Sequence, residues 1–239
     1  GYWDYPRVVD AYFSNVRFVS ASRLGPTPYE EKTIINPVNP IGINGEHILN
    51  ELAGNDKLKQ QVSGIVSEIM DGGCVALSGD AEEEKEREIL KLYFTSIEGN
   101  DRIRSINSGF GYSYVLPVIV AAAITFNGIL IVENPEAHLH PQAQSRLMKA
   151  LVKLAVQNHN QLYVESHSEH IVNAIRLCIL QPEYPIDNND VAIHYFDKDM
   201  TSRRLEVLAD AQIPEWPSGF FDQAERDAAL ILRLGLFAQ

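Results

Sequence analysis

The sequence predicts an α/β fold: a mainly parallel sheet flanked by helices, with an irregular region before it. Two observations point there. From residue 105 onward the pattern runs turn, helix, strand, helix, strand, helix, and strands separated by crossover helices form parallel sheets. Two of those strands, in "GILIVE" and "QLYVES", are short apolar runs, as expected where both faces of a sheet are covered. With 239 residues, 45% of them hydrophobic, the chain is long enough to bury a sizeable core.

The elements follow in order. "FSNVRFVSASRLGP" reads as a strand from Val16 to Ala21, closed by a Gly-Pro break. Residues 25–45 are rich in Pro and Gly and read as an irregular connection. From Gly45 to about Asp71 the apolar spacing is helical, through Ile48, Leu49, Leu52, Leu58, Val62, Ile65, Val66 and Ile69, until "DGG" stops it. "GDAEEEKERE" reads as a solvated charge run. "ILKLYFTS" and "RIRSI" flank "IEGND" as a β-hairpin. "SYVLPVIVAAAITF" reads as an apolar helix with Pro117 in its first turn, where a missing N–H costs little. "PQAQSRLMKALVKLAVQN" is an amphipathic helix opened by proline, and "SEHIVNAIRLCIL" is another helix. "DVAIHYFDKD" and "RRLEVLAD" suggest a strand pair, and a last helix covers about Gln223 to Leu234. These elements divide as 1–104 (strand, helical insertion and hairpin), 105–200 (α/β core) and 201–239 (a small C-terminal domain).

Composition narrows the function. A net charge of −12 argues against a broad nucleic-acid surface, though a local basic patch is compatible with it. Two cysteines, Cys74 and Cys178, stand far apart and in no metal spacing, which suits a reducing compartment. The apolar run around Val115–Phe126 is too short and too interrupted to span a membrane. "GYWDYPRVVD" lacks the basic start and apolar region of a signal peptide. We therefore expect a cytoplasmic protein, and its abrupt start reads as part of something longer.

Chemistry concentrates where the apolar strands end. "ILIVENPEAHLHP" places two carboxylates, an amide and two imidazoles after a buried strand, and "LYVESHSEH" repeats the arrangement on the next. In parallel sheets ligands bind beyond the carboxyl ends of the strands, so both clusters are expected to face one crevice. "SGFG" puts two glycines at a helix start, where backbone N–H groups approach a phosphate closely. Ser166 and Ser168 are placed to cap the helix that follows the second strand.

These stretches carry a resemblance. "ILIVENPEAHLHP" resembles the Walker B strand and D-loop of ABC-type ATPase heads, the class that includes SMC, RecF and OLD-like proteins. "LYVESHSEH" resembles their next strand with its switch histidine, and "NSGFGYSYVLPV" their signature motif. "SASRLGP", "GINGE" and the tail "IPEWPSGFFD" resemble one bacterial branch whose small C-terminal domain has no assigned function. The resemblance is nearly continuous from residue 105 to 222 and patchy before 100.

It implies the C-terminal lobe of a P-loop NTPase, with ATP and Mg²⁺ held between two subunits. Glu133 would join the magnesium shell through water. Asn134 stands where a water-activating carboxylate is usual; an amide orients water but takes no proton at neutral pH. Glu136 is the substitute base, or hydrolysis is slow. His167 would reach the γ-phosphate. Ser108, Gly109, Gly111 and Ser113 would face the nucleotide of the other subunit, with Tyr114 where the branch often has Gln. His138 and His140 would lie in the D-loop at the dimer interface. Expected partners are a second copy, the N-terminal P-loop lobe, and a nucleic acid or effector protein, as in DNA transactions or phage defence.

No G-x-x-x-x-G-K-[ST] occurs in the 239 residues. The lobe that carries it is therefore expected outside them, and these residues by themselves are expected to be inactive. Two rival classes remain. One is a non-catalytic dimerisation module gated by nucleotide, suggested by Asn134 and the missing P-loop. The other is a metal-dependent hydrolase using His138, His140, Glu133, Glu136, His167 and His170 as ligands. Asp197 and Asp199 in "FDKD" are similar to Toprim metal carboxylates, but the Glu-Gly start of that fold is missing and a surface turn is the reading.

Overall fold

The computed structural model describes residues 15–25, 27, 29–32, 40–71, 74–80, 89–95, 102–217 and 219–236. The chain divides into two compact units, residues 1–171 and 172–239.

At the centre of the first unit is a parallel sheet of three strands, in the order β1 (Val16–Val19), β6 (Ile129–Glu133), β7 (Gln161–Glu165). Val16 to Val19 pair with Ile129 to Val132, and Ile129 to Glu133 pair with Gln161 to Glu165. Between β1 and β6 lies a second, antiparallel sheet: β2 (Glu30–Glu31), β4 (Ile89–Thr95) and β3 (Cys74–Asp80), with β5 (Arg102–Arg104) also on β4. The parallel α/β core is as the sequence predicts; the antiparallel sheet is larger than the predicted hairpin. β4 and β5 are that hairpin, with Tyr93 opposite Arg104. β3 is an addition, pairing Cys74 with Thr95 through Asp80 with Ile89. It reaches Asp80, inside the run read as solvated; the remainder of that run, the "IEGND" turn and the N-terminal "GYWDYPRVVD" lie outside the described residues.

The helix expected from Gly45 to Asp71 is two helices, α1 (Ile48–Ala53) and α2 (Asp56–Ile69). Between them the Asn55 side chain accepts from Leu58 N at 3.0 Å, a helix cap worth about 1 kcal/mol. Leu58, Val62, Val66 and Ile69 recur at helical spacing and are all buried.

α3 (Phe110–Ile124) starts three residues earlier than the apolar run suggests, because Gly109 at φ 81° turns the chain into it. Pro117 therefore sits inside the helix and not in its first turn. It has no N–H for the Ser113 carbonyl, and its ring packs where a Cβ on Gly45 would stand only 2.6 Å away. From Val115 to Ala123 every residue is buried, as expected for a helix that is apolar all round. α4 (Pro141–Gln157) is the amphipathic crossover helix, with proline in its first turn as predicted. α3, α4, β1 and β6 share one core with α2 and the buried side chains of β4, among them Phe94 and Leu92.

β7 departs from the expectation of a buried strand. Its residues alternate between exposed and half-buried, and Tyr163 is 56% exposed. Among the described residues it pairs only with β6 and forms one edge of the sheet.

α5 (Glu169–Leu180) follows β7 and runs into the second unit. There β8 (Ile193–Phe196) and β9 (Ser202–Leu205) form the predicted strand pair, Ile193 opposite Leu205. Asp199 accepts from Thr201 N and Thr201 Oγ1 in the tight turn between them, so the "FDKD" aspartates belong to a surface turn. Trp216 Nε1 donates to the Phe220 carbonyl, and the Phe220 ring stands 4.9 Å from Tyr195. α6 (Gln223–Leu236) closes the described chain. No helix among the described residues is long and apolar enough to cross a membrane.

Candidate functional site at the strand ends

All the residues singled out at the sheet's carboxyl edge lie in the first unit. Glu133 and Glu165 are register partners at the ends of β6 and β7. The ladder continues one step further, with Asn134 N donating to Glu165 O at 2.9 Å. Asn134 then turns left-handed at φ 43°, a conformation Asn tolerates better than most residues. Ala137 N donates to Asn134 O and Leu139 N to Glu136 O, which closes the "NPEAHL" turn.

The carboxylates diverge. Glu133 points toward the loop after β1, where Oε2 accepts from Ala21 N at 3.0 Å and lies 3.5 Å from Ser20 Oγ. Glu136 points the other way: Oε1 accepts from His167 N at 2.8 Å. Its Oε2 is buried and has no hydrogen-bond partner among the described residues, an acceptor left for a bound group. His167 Nε2 lies 3.1 Å from Glu165 Oε1, both side chains being exposed. Thus Glu133, Asn134, Glu136 and His167 come together on two adjacent parallel strands. Ser168 Oγ accepts from His170 N and caps the start of α5, while Ser166 Oγ accepts from Ser168 N and orders the turn before it.

The helix-start residues separate into two groups. Gly109 has open space around its missing Cβ, whereas a Cβ on Gly111 would stand 3.1 Å from the His138 carbonyl. Gly111 thus lets α3 approach the turn after β6. Ser108 Oγ donates to Ser105 O at 2.8 Å. Ser113 is different: it is buried, lines a small cavity with Glu30, Gly45 and Pro117, and its hydroxyl has no partner among the described residues.

His138, at φ 63°, packs edge-on against Tyr114 with ring centroids 4.4 Å apart, and the Phe110 ring lies 5.4 Å from it. His140 caps α4, its Nδ1 accepting from Gln142 N at 3.4 Å. Among the described residues no three His, Cys, Asp or Glu side chains converge as a metal-holding group.

One residue was missed by the sequence reading. Arg23, 3% exposed, reaches from the loop after β1 into the turn after β6. Nη1 donates to Ser20 O at 3.0 Å and to Glu133 O at 2.7 Å; Nη2 donates to Asn134 O at 2.6 Å. Its guanidinium carbon lies 5.6 Å from the Tyr114 ring centre. Burial pulls its pKa down, while Tyr114, Glu136 and Glu133 push it back up. The only signal was an arginine in "SASRLGP", right after a strand.

A carboxylate-ended parallel strand, a histidine on its neighbour and a glycine-opened helix against the same turn make an arrangement suited to phosphoryl chemistry. The family comparison agrees with that class. Residues 32–172 match the AAA ATPase domain family, and the chain belongs to it. Residues 186–230 match a family described as protein of unknown function (DUF3696). No curated protein matches.

Among solved structures, one from work on ATP-driven dimerization and DNA stimulated activation of SMC ATPases is 12% identical. The match covers 67% of this chain and 89% of that one, with a TM-score of 0.47. The Smc head domain with a coiled coil and joint from Pyrococcus yayanosii is 13% identical, with 65% and 28% covered and a TM-score of 0.45. The SMC head domain from Thermotoga maritima is 12% identical, with 53% and 43% covered and a TM-score of 0.38. The family assignment rests on the family match alone.

Proposed function

We propose that this chain is the C-terminal lobe of an ABC/SMC-like ATPase of the RecF/OLD-like group. In this reading the P-loop belongs to sequence outside these 239 residues, two copies sandwich ATP, and closure drives a partner, a nucleic acid or an effector protein, in the cytoplasm. The observation that carries the reading is that Glu133, paired with Glu165 at the end of β6, and His167, just beyond the end of β7 and donating to Glu136, stand at the carboxyl edge of two adjacent parallel strands. The family's use of ATP with Mg²⁺ supports it.

The residues present fit such a nucleotide site. Bound magnesium would screen the phosphate charge, and Glu133 would hold its water shell. Glu136, whose Oε2 has no partner among the described residues, would take a proton from an attacking water. Asn134 would orient that water, and His167 would donate to the terminal phosphate. Gly109, at the start of α3, would face the nucleotide of the second copy, while Gly111 seats the helix against the turn after β6. The P-loop lobe would cover the exposed Tyr163 face of β7, since parallel sheets are normally covered on both faces.

The test is Mg-ATP turnover by the intact protein, with Glu133→Gln alongside. Turnover abolished by that substitution is the expected result. An intact protein that neither hydrolyses ATP nor dimerises on binding it would refute the reading. Asn134 favours a second reading, in which ATP drives dimerisation without turnover; the same assay separates the two.

A further inference from the structure

We infer that Arg23 is a positioning residue, which holds the turn from Glu133 to Glu136 in working geometry and ties it to the start of α3. The inference rests on the ATPase reading above.

The loop after β1 grips Glu133 at both ends. Ala21 N holds its side-chain Oε2, and Arg23 Nη1 holds its main-chain carbonyl. The second arm of the guanidinium holds the carbonyl of Asn134, the residue turned left-handed. A planar fork with donors in fixed directions suits two neighbouring carbonyls; a lysine ammonium does not reproduce that geometry. With both carbonyls pinned, the peptide planes leading to Glu136 are fixed, and so is the direction of its carboxylate.

The guanidinium also lies over the ring of Tyr114, one turn into α3, and Tyr114 packs edge-on against His138 of the turn after β6. Arg23 therefore touches both elements proposed to meet nucleotide: the turn after β6 and the glycine-opened helix. A cation this buried is costly, and an apolar side chain would fill the space more cheaply. Fixing the turn accounts for its presence. Arg23 Nε, buried and without a hydrogen-bond partner among the described residues, also marks a group placed for more than its own satisfaction.

The test uses the intact protein: steady-state Mg-ATP turnover and thermal melting of wild type, Glu133→Gln, Arg23→Lys and Arg23→Ala. A misplaced reacting group costs on the order of 10²-fold in rate. Arg23→Lys is expected to lower kcat by roughly that factor, with KM for ATP little changed and the melting temperature held. Added guanidinium ion is expected to restore part of the turnover of Arg23→Ala. Unchanged kcat in both variants overturns the proposal. So does a fall in kcat that merely tracks loss of folded protein. Absence of any turnover sensitive to Glu133→Gln in the wild type overturns the ATPase reading instead, and this proposal with it.

Discussion

The main-chain N–H of His167 donates to Glu136 Oε1 at 2.8 Å. One oxygen of that carboxylate is thus fixed by the neighbouring strand, and the other faces inward without a partner among the described residues. In the proposed reading this carboxylate is the general base, oriented by one oxygen and acting through the other. Glu136→Gln keeps an oxygen for His167 N but removes the basic site. It is expected to lower turnover of the intact protein by about 10²-fold, with nucleotide affinity little changed. Asn134→Glu is the complement: if the site is built for slow hydrolysis, it raises turnover. A single steady-state assay of both variants decides. Should neither change turnover while Glu133→Gln abolishes it, the attacking water lies elsewhere.

Nucleotide binding by these 239 residues made separately is a second prediction. Without the P-loop backbone and its lysine, most contacts to the β- and γ-phosphates are lost. Calorimetric titration with Mg-ATP is expected to show no saturable binding at micromolar concentrations. Tight, magnesium-dependent binding would refute the division into lobes.

The two helix-start glycines are expected to respond differently to alanine. Gly109 sits at φ 81° and ψ 162°, a region essentially reserved for glycine, so alanine there costs about 1–3 kcal/mol in strain although nothing crowds it. At Gly111 the φ is ordinary and the obstacle is the His138 carbonyl, 3.1 Å from a new Cβ. Gly111→Ala should therefore displace the turn after β6 and reduce turnover more than its loss of stability explains. Denaturant melts beside turnover measurements separate the two effects.

Glu30 makes stability depend on pH. Burial pushes its carboxyl above the ordinary 4.5; hydrogen bonds from Asn50 and Leu49 and the charge of His47 oppose this without cancelling it. A carboxyl raised in the folded state favours folding most below its unfolded pKa, and that contribution is lost as pH rises through the folded value. Glu30→Gln cannot titrate. Any advantage of wild type over this variant in melting temperature is expected to shrink as pH rises from about 4.5 towards neutral. A difference constant across that range would show that Glu30 does not carry the effect.

The parallel core was legible in the sequence because its elements are apolar and punctuated: "GILIVE" runs into Asn-Pro, and Pro141 opens its helix. The juxtaposition of Glu133, Glu136 and His167 followed from topology alone. What escaped was decided by local or long-range contacts that periodicity does not register. Asn55 splits one apolar stripe in two by capping a new helix. Gly109 starts α3 three residues before its apolar run. Cys74–Asp80 becomes a strand because β4 is there to pair with it. Arg23 looked like a loop residue, since its partners lie 110 and 111 positions away.

The edge position of β7 bears on how oligomers of this protein are to be read. An edge strand offers a row of main-chain donors and acceptors to any strand that approaches, and here Tyr163 adds an exposed aromatic ring beside it. A fragment limited to these residues is therefore prone to strand-to-strand self-association and aggregation. A dimer of that fragment on a sizing column says nothing by itself about nucleotide-driven pairing. Tyr163→Lys provides the control: association through the β7 edge weakens with it, whereas pairing through the helix-start glycines and the His138 turn does not.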